Sequence, residues 1–313
     1  MEERHHVPVL LEEALEHLDC RPGKIYVDGT VGSGGHARAI LERSSPDGKL
    51  IGLDWDGQAM ERARERLAAF GDRVILVKKN FKELKTVLAS LAIPAVDGIV
   101  LDLGVSSEQL AEGERGFSFR SEGPLDMRMS DEVPRTAGEL LRRISAAELR
   151  DIIRQYGEER FAQRIAKAIV RRRQAHPLHT TKELAEVIAG SVPFRGRIHP
   201  ATRTFQALRI FVNDELNHLR TFLESGPNLL QPSGRLVIIT FHSLEDRVVK
   251  EYFRKWARVP KGETSSFHLL TPKPAGPSRA EILANPRARS AKLRALARLG
   301  EIHEREKDGR SNV

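Results

Sequence analysis

The chain has 313 residues, 40% of them apolar and 30% charged, the balance of a globular protein able to bury one large or two modest cores. Lys and Arg outnumber Asp and Glu by 51 to 43, a formal charge of +8 that suits a polyanionic partner and equally a solvated basic surface. A single cysteine, Cys20, excludes an internal disulfide and a cysteine-cluster metal site, and no metal is expected; no apolar run approaches the roughly 20 residues that span a bilayer, so a cytoplasmic protein with no membrane partner is expected.

In chain order, Val9, Leu10, Ala14, Leu15 and Leu18 recur at helical spacing and predict a helix over residues 8–19. The run Ile25-Tyr26-Val27-Asp28 predicts a strand, which breaks into the loop Gly29-Thr30-Val31-Gly32-Ser33-Gly34-Gly35-His36. A helix begins at Ala37, a second strand runs to Asp54, and Asp56 is placed to cap the next helix, on which Met60, Ala63, Leu67 and Phe70 recur. Val74-Ile75-Leu76-Val77 and Gly98-Ile99-Val100-Leu101-Asp102 predict two more buried strands, with a helix around Val87, Leu88 and Leu91 between them. Short apolar strands alternating with amphipathic helices predict an α/β fold with a doubly wound, mostly parallel sheet.

The alternation then stops. Residues 106–134 are glycine-rich, charged and aperiodic, and helical patterns follow until Val192-Pro193. One helix is predicted from Thr204 to Leu223, and strand signal returns at Arg235-Leu236-Val237-Ile238-Ile239-Thr240. Residues 110–200 therefore read as an inserted small all-helical domain within a discontinuous α/β domain, 1–109 and 201–313. The stretch from Pro260 to Pro286 reads as loop, and Arg287, Arg289, Lys292, Arg294 and Arg298 form a basic tail.

The glycine loop admits two cofactors. Gly32-Ser33-Gly34-Gly35-His36-Ala37 satisfies the dinucleotide fingerprint in its final-alanine form, which would make a NAD-dependent oxidoreductase. S-adenosylmethionine sites tend to have an acid ending the first strand and glycines four and six residues on; Asp28, Gly32 and Gly34 fit, although Thr30 stands where a further glycine is usual. A pyrophosphate wants bare amides at a helix N-terminus, whereas a sulfonium and an ammonium favour nearby carboxylates. Asp28, Asp54 and Asp102 all fall at predicted carboxyl ends of strands, which favours the cationic cofactor. Asp54, about twenty residues past the loop, suits ribose hydroxyls. The same acids disfavour a non-catalytic RNA-binding module, because they would repel phosphates.

Longer strings are more specific. They are Asp97-Gly98-Ile99-Val100-Leu101-Asp102-Leu103-Gly104-Val105-Ser106-Ser107, Arg115-Gly116-Phe117-Ser118-Phe119, Pro124-Leu125-Asp126-Met127-Arg128-Met129 and Tyr156-Gly157-Glu158-Glu159-Arg160-Phe161. His199-Pro200-Ala201-Thr202-Arg203-Thr204-Phe205-Gln206-Ala207-Leu208-Arg209, Phe241-His242-Ser243-Leu244-Glu245-Asp246-Arg247 and Asn285-Pro286-Arg287-Ala288-Arg289-Ser290 follow. With these strings the whole chain closely resembles the RsmH (MraW) family, bacterial enzymes that methylate the N4 amine of one cytidine in the decoding region of small-subunit ribosomal RNA. The resemblance implies a class I, Rossmann-like methyltransferase using S-adenosyl-L-methionine, with Gly34, Gly35 and His36 against the methionine portion and Asp54 on the ribose. It implies Phe81 beside the adenine, with Asp102 and Gln109 completing the pocket. The expected partner is small-subunit ribosomal RNA in a ribosomal particle, and a homodimer stays open.

Cytosine N4 is a poor nucleophile, because its lone pair is delocalised into the ring. Acceptors bonded to its N–H groups draw that lone pair toward the methyl donor, and positioning supplies most of the rest. The Asp/Asn/Ser-Pro-Pro-aromatic tetrad common in enzymes acting on exocyclic amines is replaced by Asp102-Leu103-Gly104-Val105, so the usual aromatic stack is missing. Asp102 and carbonyls near Leu103-Gly104 are the expected acceptors, and His5, His199 and His242 are candidates for holding base or phosphate. The target cytidine must unstack to reach such a pocket. Arg160, Arg164, Lys167 and Arg171, with Arg172 and Arg173 adjacent, line one helix face as an RNA-contacting candidate.

Overall fold

In the computed structural model, residues 8–193, 199–258 and 265–300 are described; His5 lies outside them. The sheet half begins with α1 (Leu11–Leu18), β1 (Ile25–Asp28), α2 (Gly35–Arg43), β2 (Lys49–Asp54), α3 (Gly57–Leu67), β3 (Val74–Lys78), α4 (Leu84–Ser90) and β4 (Val96–Asp102). Helices follow as α5 (Ser107–Ala111), α6 (Ala137–Arg143), α7 (Ala146–Gly157), α8 (Ala162–Ala175), α9 (Thr181–Ser191), α10 (Ala201–Val212) and α11 (Glu215–Ser225). The chain returns to the sheet with β5 (Leu230–Thr240), α12 (Ser243–Trp256), β6 (Phe267–Leu269), α13 (Arg279–Ala284) and β7 (Lys292–Arg298).

Seven strands form one sheet in the order β3-β2-β1-β4-β5-β7-β6. The first five run parallel, and β7 inserts antiparallel to both β5 and β6. The central strands are apolar on both faces because helices cover both. Residues of α1, α2 and α3 pack on one side with Tyr26, Leu50 and Val237. Residues of α4, α11 and α12 pack on the other with Val27, Ile51 and Ile238.

Register sets the carboxyl edge. Asp28 of β1 pairs with Gly52 of β2 and with Val100 of β4. Asp54 and Asp102, each two residues further along its strand, therefore overhang Asp28 on either side. The strand order reverses between β1 and β4, which is where an open α/β sheet leaves a crevice for a ligand.

The helical part has its own core. Ile153, Ile165, Ile169, Leu184 and Ile188 from α7, α8 and α9 are fully or almost fully buried together with Phe117, Leu125, Met127 and Met129 from the aperiodic stretch. The same cluster continues past residue 200 into α10 through Ala201, Phe205, Ala207 and Leu208. Helix starts follow the capping-box pattern, with Thr136 and Glu139, Ser145 and Glu148, and Thr180 and Glu183 each satisfying the other's backbone N–H.

Three local expectations are corrected. The single helix over 204–223 is two, broken where Asp214 adopts a left-handed φ of 52°. The break frees the buried amide of Asn213 to accept from Met129 N (2.7 Å) and donate to Met127 O (2.7 Å), which locks the aperiodic stretch beneath it. The segment read as loop up to Pro286 contains β6 and α13. Three of the five cations of the basic tail are structural: Lys292 and Arg294 pair with Asp246 at 3.0 and 2.6 Å, and Arg298 donates to the carbonyl of Leu230 at 2.6 Å. Arg287 and Arg289 remain exposed.

Candidate active site

The glycine loop is rigid because its amides are engaged within the protein. Gly29 N donates to Val100 O, Thr30 N to Asp28 Oδ1, Val31 N to Leu53 O, Gly32 N to Asp54 Oδ2 and Gly34 N to Val31 O, at 2.7–3.1 Å. The acids around the loop, Asp28, Asp54 and Asp102, suit a cationic cofactor better than a pyrophosphate. Gly34 holds φ at +83° as the N-cap of α2, a conformation that favours glycine. Thr30, in place of the usual glycine, accepts from the backbone N–H of Asp102 at 2.6 Å through Oγ1 and thereby ties the β1 loop to the end of β4.

Around this loop lies a cleft of about 1320 Å³ measured out to its open mouth. Gly35, His36, Asp54, Phe81, Asp102 and Gln109 line it together; Gly34 supports the loop behind the wall. Pro8 packs on Gly35, and the buried His36 places Nε2 3.1 Å from Val9 O and Nδ1 3.7 Å from Asp102 Oδ2. Asp54 accepts from Gly32 N and Asp56 N at 3.0 Å each. Phe81 stands edge-on to Phe222 at 5.9 Å. Gln109 is fixed in a capping box with Ser106 and donates to Asp56 Oδ2 at 2.7 Å, and Asp56 caps α3 as expected. Arg115 also donates to Asp56 (2.8 Å) and to the carbonyls of Arg128 and Met129, so one buried carboxylate joins the sheet to the first turns of the insertion.

Two of the predicted histidines are not brought to the cleft wall. His199 is exposed at the start of α10, where its Nδ1 accepts from Ala201 N and its ring lies 4.6 Å from that of Phe119. His242 is the N-cap of α12, its Nδ1 accepting from Glu245 N at 3.3 Å. Ligand atoms of His242, Glu245 and Glu215 gather within 4.8 Å, yet Arg209 grips Glu215 at 2.8 and 2.9 Å, and Glu245 accepts from Phe241 N and His242 N. The group is a neutralised network rather than a vacant set of ligands.

Among the cleft-lining residues that the sequence reading did not single out are Trp55, Asn80, His218, Phe241 and Glu245. Trp55 and Asn80 directly neighbour residues that were singled out, and Phe241 and Glu245 belong to a quoted string in which only His242 drew notice. His218 gave no signal in sequence; it reaches the site because α11 packs against the segment at Phe81, where Lys82 Nζ lies 2.8 Å and Asn80 Nδ2 3.2 Å from its ring nitrogens.

Electrostatics identify the ligand's charge. Burial pushes Asp28 up to about 7, with the charge of Asp54 adding to it, and pushes Asp54 up to about 6. Asp102 is raised well above the ordinary carboxylate value by burial first, then by Asp28 and Glu245. Asp28 Oδ2 and Asp102 Oδ1 are buried without a hydrogen-bond partner. Unpartnered carboxylate oxygens in a nucleoside-sized cleft fit a cofactor that carries positive charge.

The sheet order with antiparallel β7 and the acid-lined crevice at its switch point define a class I, Rossmann-like methyltransferase whose cofactor is S-adenosylmethionine. Residues 3–299 match the model of the MraW methylase family. Among similar proteins are the ribosomal RNA small subunit methyltransferases H of Symbiobacterium thermophilum (51% identical, covering 94% of this chain and 97% of the relative) and Geobacter sulfurreducens (53% identical, 94% and 99%). The namesake from Syntrophus aciditrophicus is 52% identical, with 94% and 98% covered. The chain belongs to the MraW methylase family.

Unfolded carboxyls ionise near pH 4, so between about pH 4 and 7 the native, cofactor-free protein holds more protons than the unfolded chain. Its stability falls as pH rises through that window, because the buried acids are forced to ionise. A cationic ligand favours their ionised forms, so S-adenosylmethionine binding near pH 6 is expected to release protons. Calorimetry in buffers of different ionisation enthalpy measures this; proton uptake would contradict it.

Proposed function

We propose that this chain transfers a methyl group to the exocyclic N4 of one cytidine in small-subunit ribosomal RNA. The observation that carries the reading is the convergence of Asp28, Asp54 and Asp102 on one crevice, in a chain of this family. S-adenosylmethionine, when bound, supplies the electrophilic methyl. In this reading Asp54 holds the ribose hydroxyls, Trp55, Asn80, Phe81 and His218 surround the adenine, and His36 and the Gly34-Gly35 turn face the methionine end.

Asp102 accepts from the substrate amine once nearby positive charge has restored its ionised form, and the carbonyls of Leu103 and Gly104 accept alongside it. Their task is orientation: drawing the amine's lone pair out of the ring's plane of delocalisation and toward the methyl donor. Closing the amine against a buried carboxylate also excludes water. The N-methylated amine is acidic enough to lose its proton to solvent, so no dedicated base is required.

Arg164, Lys167 and Arg171 are exposed on α8, with Arg160 exposed just before it, which suits a phosphate-contacting face, and Arg287 brings a further exposed cation to the cleft. Arg172 and Arg173 serve the fold instead: Arg172 donates to His176 O and Arg173 to Leu141 O.

Mass mapping of ribosomal RNA from a strain lacking this gene is expected to find one cytidine lighter by a methyl, restored by the wild-type gene and not by Asp102→Asn; restoration by the variant would remove Asp102 from the chemistry. Asp54→Ala should weaken S-adenosylmethionine binding by about 1.5–3 kcal/mol in calorimetry, the cost of losing charge-assisted hydrogen bonds. Replacing Arg164, Lys167 and Arg171 together by Gln should weaken RNA binding and flatten its salt dependence by up to about three ions; an unchanged slope would take α8 out of the footprint.

A further inference from the structure

Enzymes that act on an extruded base commonly hold it against an aromatic ring, which costs little entropy and keeps the base plane fixed while its edge is read. The loop after β4 carries Leu103, Gly104 and Val105 and so offers no ring. The next strand does. Asp102 and Ile239 are opposite each other in the parallel pairing of β4 with β5, so two residues on along each strand lie Gly104 and Phe241. Gly104 has φ +100°, a conformation side chains rarely adopt, and a Cβ placed there would stand 3.6 Å from Phe241 Cδ2. Phe241 is half-buried and lines the same cleft as Asp102 and Gly104.

We infer that Phe241 is the platform on which the acceptor base lies while its amine meets Asp102, an inference that rests on the substrate reading proposed above. The ring comes from the residue just past β5 rather than from the loop that usually provides it, and Gly104 puts no side chain beside it. Its backbone is held on both sides. Thr240, fully buried, donates through Oγ1 to Lys292 O at 3.2 Å across the β5–β7 ladder. Phe241 N donates to Glu245 Oε2 at 2.9 Å, and Glu245 is itself locked into the capping box that starts α12. Glu245 is thus a positioning residue: it aims the ring without touching the base. Within the string from Phe241 to Glu245, its first and last residues thus work together, and the missing aromatic after Asp102 is accounted for.

The test is methyl transfer to small-subunit particles isolated from the deletion strain. Phe241→Leu should lower kcat/KM for the particles roughly 10–100-fold, the scale of losing one base–aromatic stack, with S-adenosylmethionine affinity unchanged. Phe241→Tyr and Phe241→Trp should keep most of the activity. Phe241→Leu as active as wild type, or Phe241→Tyr falling as far as Phe241→Leu while still binding cofactor, overturns the assignment. Wild-type protein that transfers no methyl to the particles overturns instead the substrate reading beneath it. On the unaltered protein, RNA carrying 5-iodocytidine at the acceptor position should photocrosslink to the peptide containing Phe241; a crosslink mapping only elsewhere overturns the proposal whether or not the variants fold.

Discussion

Everything at the crevice follows from three carboxylates that the sheet register forces together in a place with little water. Asp28 lies in the centre of the edge, Asp54 and Asp102 overhang it, and Asp54 raises the cost of ionising Asp28 as Asp28 does that of Asp102. Two of their oxygens lack partners. Such an arrangement costs stability in the empty protein, and only a ligand with positive charge recovers it. The sheet around it is buried on both faces, and five of the loop's amides are bonded within the fold. Charge selection and rigidity are thus the same device.

The helical part is fastened to this edge by polar groups as well as by apolar contacts such as Trp55 and Val105 on its core. Asp56 receives Gln109 and Arg115. Asn213 pins the carbonyl of Met127 and the amide of Met129. Glu158 at the end of α7 pairs with Arg247 at 2.9 Å and accepts from Ser243 on α12. Truncating a buried polar residue of this kind leaves its partners unsatisfied, which explains why the distinctive strings of the sequence are so polar. Asp126 and Arg128, bonded twice at 2.8 Å, shape one of those strings without approaching the cofactor side.

The parallel strands, their terminal acids and the glycine loop were legible in sequence because period and punctuation report local structure. The cofactor wall was legible where a residue sits at or just past a strand end, as with Asp54, Asp102 and Phe81. His218 was not, because its place is decided by how α11 packs on a segment more than a hundred residues earlier. The stretch from 106 to 134 has no period, yet Phe117, Leu125, Met127 and Met129 are core. Irregular backbone can bury apolar side chains without repeating them. His199 and His242 use a ring nitrogen to accept from a backbone N–H at a helix start, a role that leaves the same mark in sequence as substrate contact.

The placement of the helices between β4 and β5 also bears on how the chain assembles. Pairing those two strands closes an excursion from residue 103 to residue 229, among the most distant pairings in the sheet. Closure entropy grows with the length of flexible chain, and long-range pairings slow folding. An interval that condenses around its own core, with short helical hairpins from Ala137 to Ser191, presents a much shorter effective loop to the sheet. The helical stretch thus bears on assembly as well as on the site: its own core shortens the span of flexible chain that must be closed for β5 to pair with β4.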